Sequence, residues 1–313
     1  MTIVLLMAVP YLPLAALLVP GGGGVPLMIL QDGESSTGGR VSSRGPVGDD
    51  VPDGPSTVFS KNAVRERSRD WEMKRLEGCG WHLLMTARCA VRGDAAPNDL
   101  RAVGVHADAF IEVIEKTLEG DSSDIRFSVR VFRDKADYEC FASISGAKGA
   151  ASFYDPRMLE AVLLWSEDGR PWRLLMHELA HAYLDRVFAR REPLWLTEGF
   201  AEYFGAYAVE KGGIVKPGAP NEKQSERLRK ALDDKAFVPL RRLVSASRDA
   251  FYGDGHALHY AEAGSLMMFL ARSQDESRPR VLWELARGKG LHHVWDLKEL
   301  EAKWIDSIKE AKK

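Results

Sequence analysis

The stretch WRLLMHELAHAYLDRVFARREPLWLTEGFAEYF, residues 172–204, carries the pattern on which the interpretation of this chain depends. Pro171 suits the first turn of a helix, and we expect that helix to run to about Arg190. At 3.6 residues per turn, His177 and His181 lie one turn apart on the same face of the helix. Both imidazoles could therefore bind one metal ion, as in other helices with the pattern His-Glu-x-x-His.

A second helix is expected after Pro193, from about Thr197 to Glu210. A short turn between the two helices would bring Glu198 back beside the histidines as a third ligand, with the fourth tetrahedral position left for water. Glu202 follows one turn later on the same face and could accept the free ring N–H of a bound histidine. Because the neighbours of both carboxylates are apolar, a solvated acidic face explains them less well. The pattern predicts one bound Zn2+ ion.

Glu178 lies one step round the first helix from His177, where it can act on water near the metal instead of binding the metal. Most neighbouring positions on this helix are apolar, so we expect the helix to be largely buried. A buried His-Glu-His face without a function would be costly, because polar groups lose their hydration on burial.

Together, HELAH (residues 177–181) and WLTEGFAEYF (residues 195–204) resemble the gluzincin group of zinc metallopeptidases, the thermolysin-like members of the peptidase MA clan. The 17 residues from His181 to Glu198 are slightly fewer than in thermolysin and the zinc aminopeptidases. The spacing is closer to bacterial peptidase-MA-like domains of unknown function. The resemblance extends over roughly residues 80–290, but only the two zinc motifs are specific.

The resemblance implies that His177, His181 and Glu198 bind one zinc ion. It also implies Glu178 as the general base and Glu202 as the residue that supports a histidine ligand. The expected activity is zinc-dependent hydrolysis of peptide bonds in a peptide or protein substrate, by water that the metal activates. The alternative is a non-catalytic module in which zinc stabilises a binding or structural domain.

A peptidase also needs a donor for the oxyanion that develops on the scissile carbonyl. The segment GDGHALHY, residues 253–260, offers Tyr260 as the first choice, with His256 and His259 as alternatives. For each of the three, a purely structural role is an equal explanation. A tyrosine-centred segment similar to residues 260–266 also recurs in the related domains of unknown function.

Hydrophobic spacing places strands early and helices late, which is typical of an α+β fold. We expect a small N-terminal mixed sheet followed by a mostly helical, zincin-type half, with the active-site helix between them. Strands are expected at 80–86, at 125–131 with one buried face, and at 159–165. The last strand could be an edge that pairs with an extended peptide, or a plain core strand. Further helices are expected in the latter half of 99–119 and at 134–141, 221–235, 257–272, 278–287 and 297–311.

The composition excludes several classes of protein. Lys and Arg (43) nearly balance Asp and Glu (45) among 313 residues, so no global basic field is present to hold nucleic acid. Hydrophobic residues make up 45% and charged residues 28%, which is ordinary for a soluble globular protein and excludes fibrous and multi-pass membrane classes.

The N-terminal segments predict a location outside the cytoplasm. Residues 1–20 are uncharged and mostly apolar, which favours a signal peptide or a membrane anchor, although no basic residue precedes Arg40. Residues 21–56 are rich in Gly, Ser and Pro and are expected to form a disordered linker. The gluzincin-like metallopeptidase domain would then span 57–313. We expect a secreted, periplasmic or membrane-anchored protein, or a cytoplasmic one if residues 1–20 are not a signal; the oligomeric state is open.

Three cysteines are too few for a disulfide scaffold. Cys79 and Cys89 could form a bridge in an exported protein, or both could be free buried thiols. Cys140 is expected in the core, on an apolar helix face.

Overall fold

A computed structural model describes residues 81–166, 171–209, 215–272, 280–293 and 295–311. The predicted signal or anchor (1–20), the predicted linker (21–56) and Cys79 lie outside the described residues, so the pairing of Cys79 with Cys89 stays a prediction. The fold is α+β, as the sequence predicted, with a mixed sheet in the N-terminal half and a mostly helical C-terminal half.

Seven strands lie within the described residues, five of them in one sheet. They are β1 (His82–Met85), β2 (Cys89–Gly93), β3 (Phe127–Phe132), β4 (Ser152–Asp155), β5 (Glu160–Leu164), β6 (Tyr207–Val209) and β7 (Val215–Pro217). The sheet order is β1-β2-β3-β5-β4, in which β2, β3 and β5 run parallel and the two edge strands β1 and β4 run antiparallel to their neighbours. Strands β6 and β7 form a separate antiparallel pair.

Ten α-helices lie within the described residues. They are α1 (Pro97–Leu118), α2 (Lys135–Ile144), α3 (Trp172–Phe188), α4 (Leu194–Gly205), α5 (Glu222–Asp233), α6 (Leu240–Val244), α7 (Arg248–Tyr252), α8 (His256–Arg272), α9 (Val281–Ala286) and α10 (Leu297–Glu310). A 3-10 helix spans Leu291–His293. The predicted late helices at 221–235, 257–272, 278–287 and 297–311 are confirmed, with ends that differ by at most three residues.

The main hydrophobic core lies between one face of the sheet, helices α1 and α3, and the C-terminal helices that pack around α4. A smaller core lies on the opposite face of the sheet, beneath α2. Because α3 packs against both the sheet and α4, it joins the two halves of the fold. Among the described residues, none of the helices combines the length and the apolar character that crossing a bilayer requires.

Strand β3 is buried on both faces, which corrects the prediction of one buried face at 125–131. Arg130 points toward the smaller core and is fully buried. Its Nε donates a hydrogen bond to Oε2 of Glu160 on β5, at 2.8 Å, and its guanidinium lies 4.7 Å from the ring centre of Phe141. A buried arginine is tolerated when its charge is paired. The polar residue Arg130 therefore does not mark an exposed face, and β3 is a central strand although its sequence alternates between apolar and polar residues.

The sequence is compatible with 159–165 as either a sheet edge or a core strand. Strand β5 lies between β3 and β4, so the core-strand alternative is confirmed and the edge alternative is wrong. The edge is β4, whose sequence Ser-Phe-Tyr-Asp follows a turn-rich segment and gave no strand prediction. A four-residue strand is too short to show a clear alternation of apolar and polar residues.

Helix α4 begins at Leu194 and ends at Gly205, whereas the sequence predicted a helix from Thr197 to Glu210. Pro193 occupies the N-cap position, and its fixed φ is compatible with a helix that begins at the next residue. The helix ends just before β6, whose three residues pair with β7 instead of continuing the helix.

Cys140 is exposed, which corrects its predicted place in the core. Helix α2 buries Tyr138, Phe141 and Ala142, and Cys140 lies on the other side of this helix. Cys89 is a buried residue of β2.

Glu262 on α8 is a carboxyl group buried in the main core. It is 0% exposed, its Oε1 accepts a hydrogen bond from the backbone N–H of Val238 at 2.8 Å, and its Oε2 has no hydrogen-bond partner among the described residues. Burial raises the pKa of Glu262 to about 8, although the hydrogen bond from Val238 opposes the shift.

We expect Glu262→Gln to stabilise the protein at alkaline pH. An unfolded glutamate ionises near pH 4.5, whereas Glu262 ionises near pH 8 in the fold, so folding loses stability as the pH rises between these values. The difference in melting temperature, Glu262→Gln minus wild type, should therefore be larger at about pH 8.5 than at about pH 5, by at least about 3 °C. The matched control is Glu226→Gln on α5, where the side chain is exposed. An equal response of both variants to pH would contradict the assignment.

Candidate metal centre

Helix α3 presents both histidines of the HELAH motif at the boundary between core and surface. One face of α3 is buried through Leu175, Met176 and Leu179, which fixes the rotation of the helix. The side chains of His177 and His181 are 15% and 17% exposed, so they are accessible to a ligand while their surroundings are largely protein.

Helix α4 returns toward α3 after the five-residue connection 189–193, and all twelve of its residues are buried. It also lies unusually close to α8. A Cβ at Gly199 would lie 2.9 Å from the backbone oxygen of Ala263, and a Cβ at Gly264 would lie 2.7 Å from Cβ of Glu202. These two glycines allow the backbones to approach, which places the acidic residues of α4 between α3 and α8.

The structure brings His177, His181 and Glu198 together, as the sequence predicted. Oε2 of Glu198 lies 3.6 Å from Nε2 of His177 and 3.3 Å from Nε2 of His181, and one donor atom from each residue lies within 4.8 Å of the others. Zinc–nitrogen and zinc–oxygen bonds are about 2.0–2.2 Å long, so two donors on one tetrahedral ion are about 3.4 Å apart. The donor set and its spacing both fit a zinc ion.

Glu198 supports this fit in a second way. The residue is only 4% exposed, and its Oε2 is buried without a hydrogen-bond partner among the described residues. A buried carboxylate oxygen is costly unless a cation or a donor faces it. Among the described residues, the groups that face Oε2 are the two imidazoles, which are also the groups that would share a metal with it.

The charges of the site depend on one another. Burial alone would raise the pKa of Glu198, but the neighbouring imidazoles of His181 and His177 outweigh it and hold this pKa well below its usual range. Burial would lower the pKa of His177, but its contacts with Glu198 and Glu202 raise it well above the usual value. The carboxylate of Glu198 and the imidazole of His177 therefore stabilise the ionised form of each other.

Glu202 supports the first histidine, in the position that the sequence predicted. Its Oε1 lies 3.4 Å from Nδ1 of His177, while its Oε2 accepts hydrogen bonds from Arg173 at 2.9 Å and from Gln224 at 2.5 Å. Contact at Nδ1 orients the ring so that Nε2 faces Glu198. Arg173 and Gln224 gave no signal in the sequence, because they reach Glu202 from α3 and from the start of α5.

Glu178 is buried beside the edge strand of the sheet. It is 4% exposed, and its Oε1 accepts a hydrogen bond from Oγ of Ser152 on β4 at 2.7 Å. One turn beyond His181, Asp185 accepts a hydrogen bond from the hydroxyl of Tyr154 on the same strand, at 2.8 Å. These two bonds hold β4 against α3.

Tyr260 lies in the site, and its ring centre is 6.4 Å from that of His177. Burial and the nearby carboxylates, Glu198 first among them, raise the pKa of Tyr260, so its hydroxyl keeps its proton. Among the described residues, nothing accepts or donates a hydrogen bond at this hydroxyl, which leaves it free as a donor.

The two histidine alternatives to Tyr260 lie elsewhere. Nδ1 of His259 is 2.9 Å from the backbone oxygen of Phe251, which is a structural contact at the end of α7. His256 is exposed at the first turn of α8.

Sequence reasoning missed Tyr252, whose hydroxyl donates a hydrogen bond to Oε1 of Glu198 at 2.6 Å. The residue ends the five-residue helix α7, which is too short to show a periodic pattern. Its place in the motif Phe-Tyr-Gly-Asp-Gly, eight residues before Tyr260, was the only available signal.

Residues 174–292 match a family model described as "Protein of unknown function (DUF1570)". The matched segment contains both zinc-type motifs, Tyr252 and Tyr260, and covers less than half of the chain. None of the curated proteins matches this sequence.

Zinc should raise the melting temperature of the metal-free protein, because a ligand that binds only the folded state stabilises it. At a free zinc concentration 100-fold above Kd, the gain is about 2.7 kcal/mol. His181→Ala should remove most of this shift, since it deletes one of three ligands. The control is His292→Ala, which deletes an exposed histidine in the 3-10 helix and should keep the wild-type shift. Equal zinc shifts in His181→Ala and wild type would place the bound metal elsewhere.

Proposed function

We propose that this protein is a zinc-dependent peptidase whose metal is held by His177, His181 and Glu198. The observation that carries the proposal is the meeting of these three donor groups beside the buried carboxylate of Glu178. When bound, zinc supplies Lewis acidity, which lowers the pKa of water and polarises a carbonyl group.

The number of ligands favours catalysis over a purely structural role. Structural zinc sites in proteins are closed by four protein ligands, whereas catalytic sites have three and leave one position open. Within the described ranges, the cluster of metal-type side chains has three members. A structural module would also have no use for a buried glutamate beside the site.

The edge strand β4 offers a place for the substrate backbone. Only β5 pairs with β4 among the described strands, so the other edge of β4 can form hydrogen bonds with an extended peptide. Ser152 on this strand contacts Glu178, so a peptide bound along β4 would pass beside the general base.

Glu178 carries the proton in the proposed reaction. Its Oε1 is held by Ser152, which leaves Oε2 to take a proton from the attacking water. The same carboxyl group then delivers the proton to the leaving amine, and peptide-bond cleavage is complete. Ser152 acts as a positioning residue, because it fixes the direction in which Glu178 points.

Tyr260 is the proposed donor to the carbonyl oxygen as negative charge develops on it. Its hydroxyl is protonated, and its ring packs between the rings of Tyr252 and His177, with centre-to-centre distances of 6.3 and 6.4 Å.

Glu178→Gln should keep zinc but lose turnover, because the amide cannot accept the proton of water. Cleavage of a proteome-derived peptide library by the zinc-loaded protein should fall by on the order of 10²–10⁴-fold. The control is Glu139→Gln, an exposed position on α2, which should match wild type.

Full activity of Glu178→Gln would show that the base is misassigned. No cleavage by zinc-loaded wild type of any library peptide would favour the alternative, a non-catalytic module that zinc stabilises.

Tyr260→Phe should lower kcat by about 10²–10³-fold while the zinc affinity stays unchanged, because the hydroxyl contributes only when charge develops on the substrate. The measurement is steady-state kinetics on the best library peptide, together with zinc titration. Tyr207→Phe is the control, since this half-buried hydroxyl has no hydrogen bond among the described residues and its ring packs on Phe110. A kcat for Tyr260→Phe equal to that of the control would remove Tyr260 from the mechanism.

A further inference from the structure

The carboxylate of Glu198 has its two oxygens assigned to different partners. Oε2 faces Nε2 of His177 and of His181, at 3.6 and 3.3 Å. Oε1 accepts a hydrogen bond from the hydroxyl of Tyr252, at 2.6 Å. The hydrogen bond therefore fixes which oxygen of the carboxylate points toward the histidines.

Tyr252 is itself held by contacts on several sides. The preceding residue, Phe251, is fully buried, and its backbone oxygen is 2.9 Å from Nδ1 of His259 on α8. On the outer side, the guanidinium of Arg248 lies 5.4 Å from the centre of the Tyr252 ring, and Glu192 lies 3.5 Å from that guanidinium. The buried Phe251 anchors the chain beside Tyr252, whereas Arg248 and Glu192 are largely exposed.

The hydrogen bond from Tyr252 matters because a glutamate side chain can otherwise present either oxygen, or both, to a metal. A side chain that is already oriented loses less conformational entropy when the ion binds. Partners that orient metal ligands typically contribute 10–100-fold to metal affinity. Tyr252 has the geometry of such a partner for the third ligand, as Glu202 has for His177.

We infer that Tyr252 is a positioning residue of the metal site, which reserves Oε1 of Glu198 and directs Oε2 to the ion. This inference rests on the metal-binding part of the proposed function and not on peptide cleavage. It separates the two neighbouring tyrosines: Tyr252 acts on the metal through Glu198, whereas Tyr260 acts on the substrate.

The test is Tyr252→Phe in the full-length protein, which removes one hydroxyl from a side chain that is 37% exposed and keeps its ring. Zinc affinity is measured by competition with a chromophoric chelator, and we expect a Kd about 10–100-fold weaker than in wild type. The Co2+-loaded variant should also show a changed visible absorption spectrum, because the freed Oε1 can then bind the ion. Tyr260→Phe and Tyr207→Phe should keep both the affinity and the spectrum.

Three results would contradict the inference or its basis. Equal zinc affinity and an equal Co2+ spectrum in Tyr252→Phe and wild type would overturn the role of Tyr252 and leave the metal site intact. A lower melting temperature of metal-free Tyr252→Phe, together with an unchanged zinc affinity of the folded protein, would show that Tyr252 only stabilises the fold. Failure of wild type to bind zinc or Co2+ would overturn the metal site itself.

Discussion

The burial of the Glu198 carboxylate against the imidazoles of His177 and His181 constrains how α3 and α4 pack. A buried carboxylate that is 4% exposed needs compensation, and among the described residues Oε2 of Glu198 finds it in Nε2 of His177 and of His181. For that contact to form, α4 must fold back along α3 within a short connection. The full burial of α4 follows, because a helix in this position is enclosed by α3 on one side and α8 on the other.

The two halves of the fold contribute different parts of the site. The helical half provides the histidines, Glu198, Glu202 and both tyrosines, and the close approach at Gly199 and Gly264 sets the depth of α4. The sheet contributes its edge strand, which is tied to α3 by the hydrogen bonds of Ser152 and Tyr154. Glu178 therefore links the two parts, because it lies next to His177 on α3 and contacts Ser152 on the edge strand β4.

Much of this site was predictable, because helical periodicity and residue chemistry are local properties. The spacing of His177 and His181 fixes their common face, and a short connection before the next helix makes the return of Glu198 toward that face expected. The α+β class followed from the order of strands and helices in the same way. Contacts between distant segments were not predictable: the pairing of Arg130 with Glu160 disguised a central strand as half exposed, and the true edge strand was too short for a pattern. Tyr252 was missed for the same reason, because its hydrogen-bond partner, Glu198, is 54 residues away in the sequence.

The most direct test of the central claim is a crystal structure of the protein grown with zinc, measured at wavelengths above and below the zinc absorption edge. We expect one strong anomalous difference peak, bonded to Nε2 of His177, Nε2 of His181 and Oε2 of Glu198 at about 2.0–2.2 Å. The absence of a peak there, or a peak whose ligands exclude Glu198, would contradict the claim.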